Sequence, residues 1–351
     1  MNALADKLAV ILTDPLAGAR ACTNPVAYVG FDLPLDLMLA SQRVFCHLPW
    51  QTGRRTPQAD LWLESSFPGW ARSLLQDWYE GAFDMFDAVV FTRGEDASQR
   101  LYYYVCELQR RGMIGGPRPL IFDIATVPGA ASRKHCATAL RKLLAELDLD
   151  ESVLAAGIER ANAYRLVYAR LDRERTVPGH VYENIARASL FTELLAELDA
   201  EIQPAAVMSR QLVFAGSSPP DDRFHKATES VGWNICSDLY QRALRRHGDP
   251  VSDFASDPIS VLARQANINP NGLRAFTDRS AVLMSEIQRT GAQAAVLWFT
   301  EEDEALAWQV PQYHKALEGQ GVPALVLTRQ SWDDGIAATA AIQEFLRELH
   351  Q

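Results

Sequence analysis

The sequence has no CxxC pair, no HExxH or HxxxH, no GxSxG elbow and no GK[ST] phosphate loop. These absences exclude zinc ribbons, zincin-type metallopeptidases, α/β-hydrolase nucleophiles and P-loop nucleotide chemistry. The five cysteines, Cys22, Cys46, Cys106, Cys136 and Cys236, are odd in number and widely spaced. They form no disulfide framework, and the expectation for each is a buried or partly buried free thiol. No apolar run approaches the ~20 residues of a membrane span. The opening MNALADKLAVILTDPLAGAR is bounded by Asp6 and Asp14 and lacks a basic region before a long apolar one, so it does not read as a signal peptide. A cytoplasmic location is the resulting expectation. Positive charge is also in deficit, with a formal net charge of −10. Nucleic acid and anionic lipid are therefore not expected as partners, although a local basic pocket can still hold an anion.

What is present suits a packed globular protein. The chain has 351 residues, 48% hydrophobic and 22% charged, enough for two cores. Short β-branched and apolar runs predict strands at Val26–Val29, Ala88–Thr92 and Leu120–Ile124. Later strands are predicted at Leu212–Ala215, within VGWNICSD, at Ala294–Phe299 and at Ala324–Leu327. Runs of this kind suit parallel strands buried on both faces. Helical patterns separate them, including Pro34–Ser41, GWARSLLQDWYEGAF and ASQRLYYYVCELQRRG, the last closed by Gly112. The cluster Tyr102–Tyr104 sits at core-packing spacing. From Ser132 to Ala205 the pattern is helical throughout. The expectation is an α/β protein with two Rossmann-like, flavodoxin-like domains, 1–130 and 206–351, joined by a helical segment, 131–205.

Ligands of open α/β sheets bind beyond the carboxyl ends of the strands. That rule selects Gly30–Pro34, TRGED at Thr92–Asp96, GSSPPDD at Gly216–Asp222 and TEEDE at Thr300–Glu304. Gly216, Ser217 and Ser218 read either as a phosphate-binding turn or as a tight strand-to-helix turn. The acids Glu301–Glu304 read either as ligands of a hard cation, together with Glu95 and Asp96, or as a solvated helix start. His135 and Cys136 are adjacent, but neighbours on a helix do not face each other.

Taken in order, these pieces resemble the subunits of 2-hydroxyacyl-CoA dehydratases and benzoyl-CoA reductases. The family's opening P-x-E-L-x-x-A helix is matched by Pro34, Asp36, Leu37 and Ala40 in VGFDLPLDLMLA. Arg72 and Ser73 in SFPGWARSLL stand where C-x-x-x-R-S occurs, and Asp87, Asp96 and Arg100 follow the next motif. The N-x-x-R pair is Asn162 and Arg165. RQLVFAGSS, GWNICSD, AAVLWFTEED and PQYHKALEGQGVPALVL follow the motifs of the second α/β domain.

The resemblance implies an acyl-CoA substrate, a homologous partner subunit and a [4Fe–4S] cluster held by three cysteines, one per loop. Here those positions fall at Ser66 (or Ser65), Glu95 and Glu302, and none is Cys. Hydroxyl and carboxylate are poor ligands for such a cluster. The expectation is a degenerate subunit without its own cluster, paired with a homologue. The candidate catalytic acids are Glu95, Asp96 and Glu302. Arg72, Arg93, Arg100, Gly216, Ser217 and Ser218 are the candidate anion contacts, converging in a cleft between the domains. The alternatives are metal- or acid/base-dependent chemistry in that cleft, or a scaffold without catalysis.

Overall fold

In the computed structural model the described residues are 3–41, 43–94, 96–174, 177–194, 209–240, 248–268, 278–332 and 335–349. Among them the strands form two four-stranded sheets, and every pairing is parallel. The first holds β1 (Val26–Val29), β2 (Phe45–His47), β3 (Ala88–Thr92) and β4 (Arg118–Phe122), in the order β2-β1-β3-β4. The second holds β5 (Arg210–Gly216), β6 (Trp233–Asp238), β7 (Ala294–Thr300) and β8 (Ala324–Gln330), in the order β6-β5-β7-β8. The two orders are the same permutation, that of a doubly wound flavodoxin-like sheet. The two-domain α/β expectation holds.

The central strands β1, β3 and β7 are buried at every position, which is why they read as unbroken apolar runs. Edges were harder to read. β2 is three residues long, too short to stand out from the apolar run FCHLP. β4 starts two residues earlier than predicted because Arg118 and Pro119 join the ladder opposite Ala88 and Val89. Proline is tolerated there because β4 is an edge strand. Helices form where the pattern predicts them, at Leu35–Ala40, Gly69–Tyr79, Asp96–Arg110, Val310–Glu318 and Ile336–Glu348. In Asp96–Arg110 the buried apolar side chains are Leu101, Val105 and Leu108. Tyr103 stays exposed, while Tyr104 packs edge-on to Phe67.

The chain divides into two compact units. The first comprises Met1–Arg170, Arg187–Ala200 and Arg245–Phe276; the second comprises Leu171–Ala186, Glu201–Leu244 and Thr277–Gln351. The helical stretch is shared between them: Ala130–Glu146 packs in the first unit, and most of Gly179–Ala188 belongs to the second. Residues 195–208, the end of that stretch, lie outside the described residues. The helix Pro258–Ile268 contributes Ile259, Leu262 and Ala263 to the core beneath the first sheet, beside Leu140, Leu143 and Leu144. The second core is built on Val213, Leu283, Ile287, Leu297 and Leu317.

In both sheets a left-handed glycine crosses the adjacent strand. Gly30 has φ +84°, and a Cβ there would lie 2.2 Å from Thr92 Oγ1. Gly216 has φ +118°, and a Cβ would lie 2.0 Å from the carbonyl oxygen of Trp298. Gly291 also has positive φ, +66°, but open space around it. Gly291→Ala is therefore expected to cost only backbone strain, about 1–2 kcal/mol. Gly216→Ala must also displace a central strand and should cost at least about twice as much. Urea denaturation of the two variants checks this; equal losses would contradict the crossing geometry.

Candidate functional site

In each sheet the chain reverses direction of winding between the first and third strands, and these switch points open at the carboxyl ends of β1/β3 and β5/β7. Ser66, Arg72, Arg93, Asp96 and Arg100 belong to the first unit, and Gly216, Ser217, Ser218 and Glu302 to the second. Glu95 lies outside the described residues. Within each unit most of the predicted residues are engaged by neighbouring groups.

At the first switch point Asp32 packs over Gly94, where a Cβ would fall 1.0 Å from Asp32 Oδ2. Ser98 is buried and donates to the carbonyl of Val29 (3.3 Å). Arg93 donates to Asp123 Oδ1 (2.7 Å), a bond that pushes the guanidinium pKa up. His135 Nε2 lies 2.9 Å from the carbonyl oxygen of Asp123. Cys136 bonds to the backbone of Ala125 instead, so the adjacent pair does turn to separate partners.

Ser66 sits on an exposed turn, and its Oγ accepts from Arg100 (3.0 Å). Arg100 also donates to Glu64 (2.7 Å) and covers the Phe67 ring at 4.2 Å. Asp96 is exposed in the first turn of its helix, 3.8 Å from Arg100. Arg72 bonds to Asp60 and to the carbonyls of Glu64 and Phe67. All three candidate guanidiniums thus have carboxylate partners, so an anion would have to compete for them.

At the second switch point Ser217 acts as a clasp. Its N–H donates to the Trp298 carbonyl (2.7 Å), and its Oγ accepts from Thr300 N–H (3.0 Å). The next helix, Arg223–Glu229, is short, and Asp221 and Asp222 precede it. This is the tight-turn reading of the loop. Beyond β7, Thr300 Oγ1 lies 3.4 Å from Asp303 Oδ2. Burial raises the pKa of Glu302 against its bonds to its own backbone and to Thr300, and the Glu301 and Asp303 charges raise it further. Its Oε2 is buried and has no hydrogen-bond partner among the described residues. Burial likewise raises Asp303. Of the predicted acids, Glu302 best fits a proton-holding role.

Most of the thiols are buried or half-buried. Burial pushes Cys46 up to about 12 and also raises Cys106 and Cys136. Cys236 is buried, whereas Cys22 is exposed, against expectation. No helix among the described residues is long and apolar enough to cross a membrane.

The sequence pattern carries no signal for a second group of polar side chains. Glu183, His225 and Asp238 are all buried and offer ligand atoms within 4.8 Å of one another. They come from separate elements, so no linear spacing marks them. One helical turn away, His180 Nδ1 meets Glu229 Oε2 at 2.5 Å. No protein-family model matches the chain, and no curated protein matches it significantly.

The His180–Glu229 pair makes a pH prediction. The bond to Glu229 raises His180 above 6.5, so its stabilisation is complete below 6.5 and is lost as pH rises through the raised value. Burial acts to raise Glu229, but its bonds with His180 outweigh that and hold it below 4.5. Its contribution is present above 4.5 and is lost as pH falls through the lowered value. His180→Gln should cost about 1 kcal/mol between these limits and less on either side. Denaturation curves across pH check this, and a loss independent of pH would contradict it.

Proposed function

We propose that this chain is a cluster-less relative of the 2-hydroxyacyl-CoA dehydratase and benzoyl-CoA reductase subunits, working beside a cluster-bearing homologous subunit on an acyl-CoA-type substrate. The observation that carries the reading is the meeting of residues on which the resemblance rests. Asp36, from the opening helix motif, and Asn162 and Arg165, from the N-x-x-R motif, lie 129 positions apart at their extremes and form one buried hydrogen-bonded group. The two parallel sheets of like order agree with the implied pair of α/β domains.

The residues at the ligand positions point to loss of the cluster. Ser66 is exposed and bonded to Arg100, and Glu302 is a half-buried carboxyl. Neither offers a thiolate. Any electron-transfer step then belongs to the partner, and this chain contributes surface and polar contacts. Among its candidate guanidinium contacts, Arg93 is the one at a switch point, and it is partly exposed.

Anaerobic purification with iron and acid-labile sulfide analysis tests the reading first. The expected result is no stoichiometric iron and sulfide on the isolated chain, with a cluster-bearing homologue co-purifying from the native cells. Calorimetric titration of that complex with CoA and a short acyl-CoA should show binding that Arg93→Ala weakens about tenfold, as for loss of a charge-assisted contact. A cluster on the isolated chain, or a complex indifferent to both ligands, would contradict the proposal.

A further inference from the structure

We propose that Glu183, His225 and Asp238 form a binding site for a first-row divalent cation inside the second unit. The inference is independent of the family reading, because none of the three residues lies at a cluster-ligand position. Each comes from a different element. Glu183 lies on the helix Gly179–Ala188, His225 on the helix Arg223–Glu229 that links β5 to β6, and Asp238 is the last residue of β6. The group therefore sits at the carboxyl end of the edge strand β6, beside β5 and on the sheet's ligand-binding end, next to the β5/β7 switch point rather than in it.

Burial and chemistry both favour a cation. Glu183 is 0% exposed, and His225 and Asp238 are each 1% exposed. One ligand atom from each lies within 4.8 Å of the others, close enough to surround one ion whose bonds to such atoms are ~2.0–2.2 Å. Two carboxylates this close repel each other away from water, so one must hold a proton or a positive charge must sit with them. A divalent ion balances the two carboxylate charges and uses the neutral imidazole as a third ligand. An imidazole in the set favours zinc or manganese over magnesium or calcium, which prefer oxygen alone. Three protein ligands leave further positions on the ion for water or substrate.

The surroundings fix these side chains. Tyr240 N–H donates to Asp238 Oδ1 at 2.8 Å, orienting the carboxylate. The His225 ring lies against Gly179, where a Cβ would be 3.2 Å from His225 Cδ2 and 2.9 Å from the Ile235 carbonyl oxygen. Gly179 N–H donates to Asn234 Oδ1 (2.8 Å), which ties the start of the Glu183 helix to β6. The ligands are thus carried by elements that are bonded to one another before any ion binds.

The test uses the full chain, purified without added metal and then divided into untreated and chelator-treated samples. Elemental analysis of the untreated sample should find one equivalent of zinc or manganese per chain. Chelation should lower the melting temperature, and titration with Zn²⁺ or Mn²⁺, but not Mg²⁺, should restore it. Glu183→Gln and Asp238→Asn keep shape while removing charge, and each should weaken Zn²⁺ binding by about tenfold or more. If either variant fails to fold, the chelation and restoration of the parent chain decide the matter. The proposal is overturned if the untreated chain carries no metal and neither Zn²⁺ nor Mn²⁺ shifts its melting. It is equally overturned if both variants bind Zn²⁺ as the parent does.

Discussion

The first unit depends on one buried ion pair. Arg165 donates in parallel to both oxygens of Asp36, at 2.9 and 2.7 Å, and both side chains are 1% exposed. A charge in such a place is tolerated only with a partner and full hydrogen bonding. Asn162 and Gln265 each accept a further guanidinium bond. Asn162 also bonds to both the N–H and the carbonyl of Val251, which anchors the segment leading to Pro258–Ile268. The group thereby fixes the helix after β1, the long helix Leu154–Glu174 and a segment 89 residues later in sequence. Gly157 completes the fit, since a Cβ there would lie 2.2 Å from the Asp36 carbonyl oxygen.

The second constraint is the crossing glycine after the first strand of each sheet. Gly30 and Gly216 each bring a loop onto the third strand, whose end is a buried threonine, Thr92 or Thr300. The runs Phe91-Thr92 and Phe299-Thr300 occupy matching places, so one frame is used twice. Its two copies differ in the residues after the threonine. The first continues into Arg93 and Gly94, with Asp32 packed over the glycine, and the second into acids raised by burial. The first thus holds a guanidinium already paired with Asp123, beside Asp32, and the second holds carboxyls raised by burial.

Much of the fold was legible in the sequence because buried parallel strands leave a plain signal. β1 and β3 were predicted residue for residue, and β7 and β8 began where predicted. The edges were less legible. Phe45–His47 is too short to show a period, and Arg118-Pro119 resembles a loop until its pairing with β3 is seen. Site chemistry was legible only where it depends on loops next to strands. The sequence placed Glu302 and Ser217 at strand ends, but not the use of Ser217 as a clasp or the engagement of Arg72 and Arg100 by Asp60 and Glu64. Glu183, His225 and Asp238 left no sequence signal, because their proximity arises only when a helix, a crossover and a strand end meet.

The central claim is that Asp36 and Arg165 serve as a buried structural staple of the first unit and carry no chemistry themselves. A double-mutant cycle at Asp36 and Arg165 tests it most directly, using Asp36→Leu, Arg165→Met and the double variant in urea denaturation. The account predicts that each single change costs about 3–5 kcal/mol, because it strands a buried charge. The double change should cost far less than the sum, since no charge is left unpaired. Additive losses, or single changes costing under about 1 kcal/mol, would contradict the claim and free these residues for a functional role.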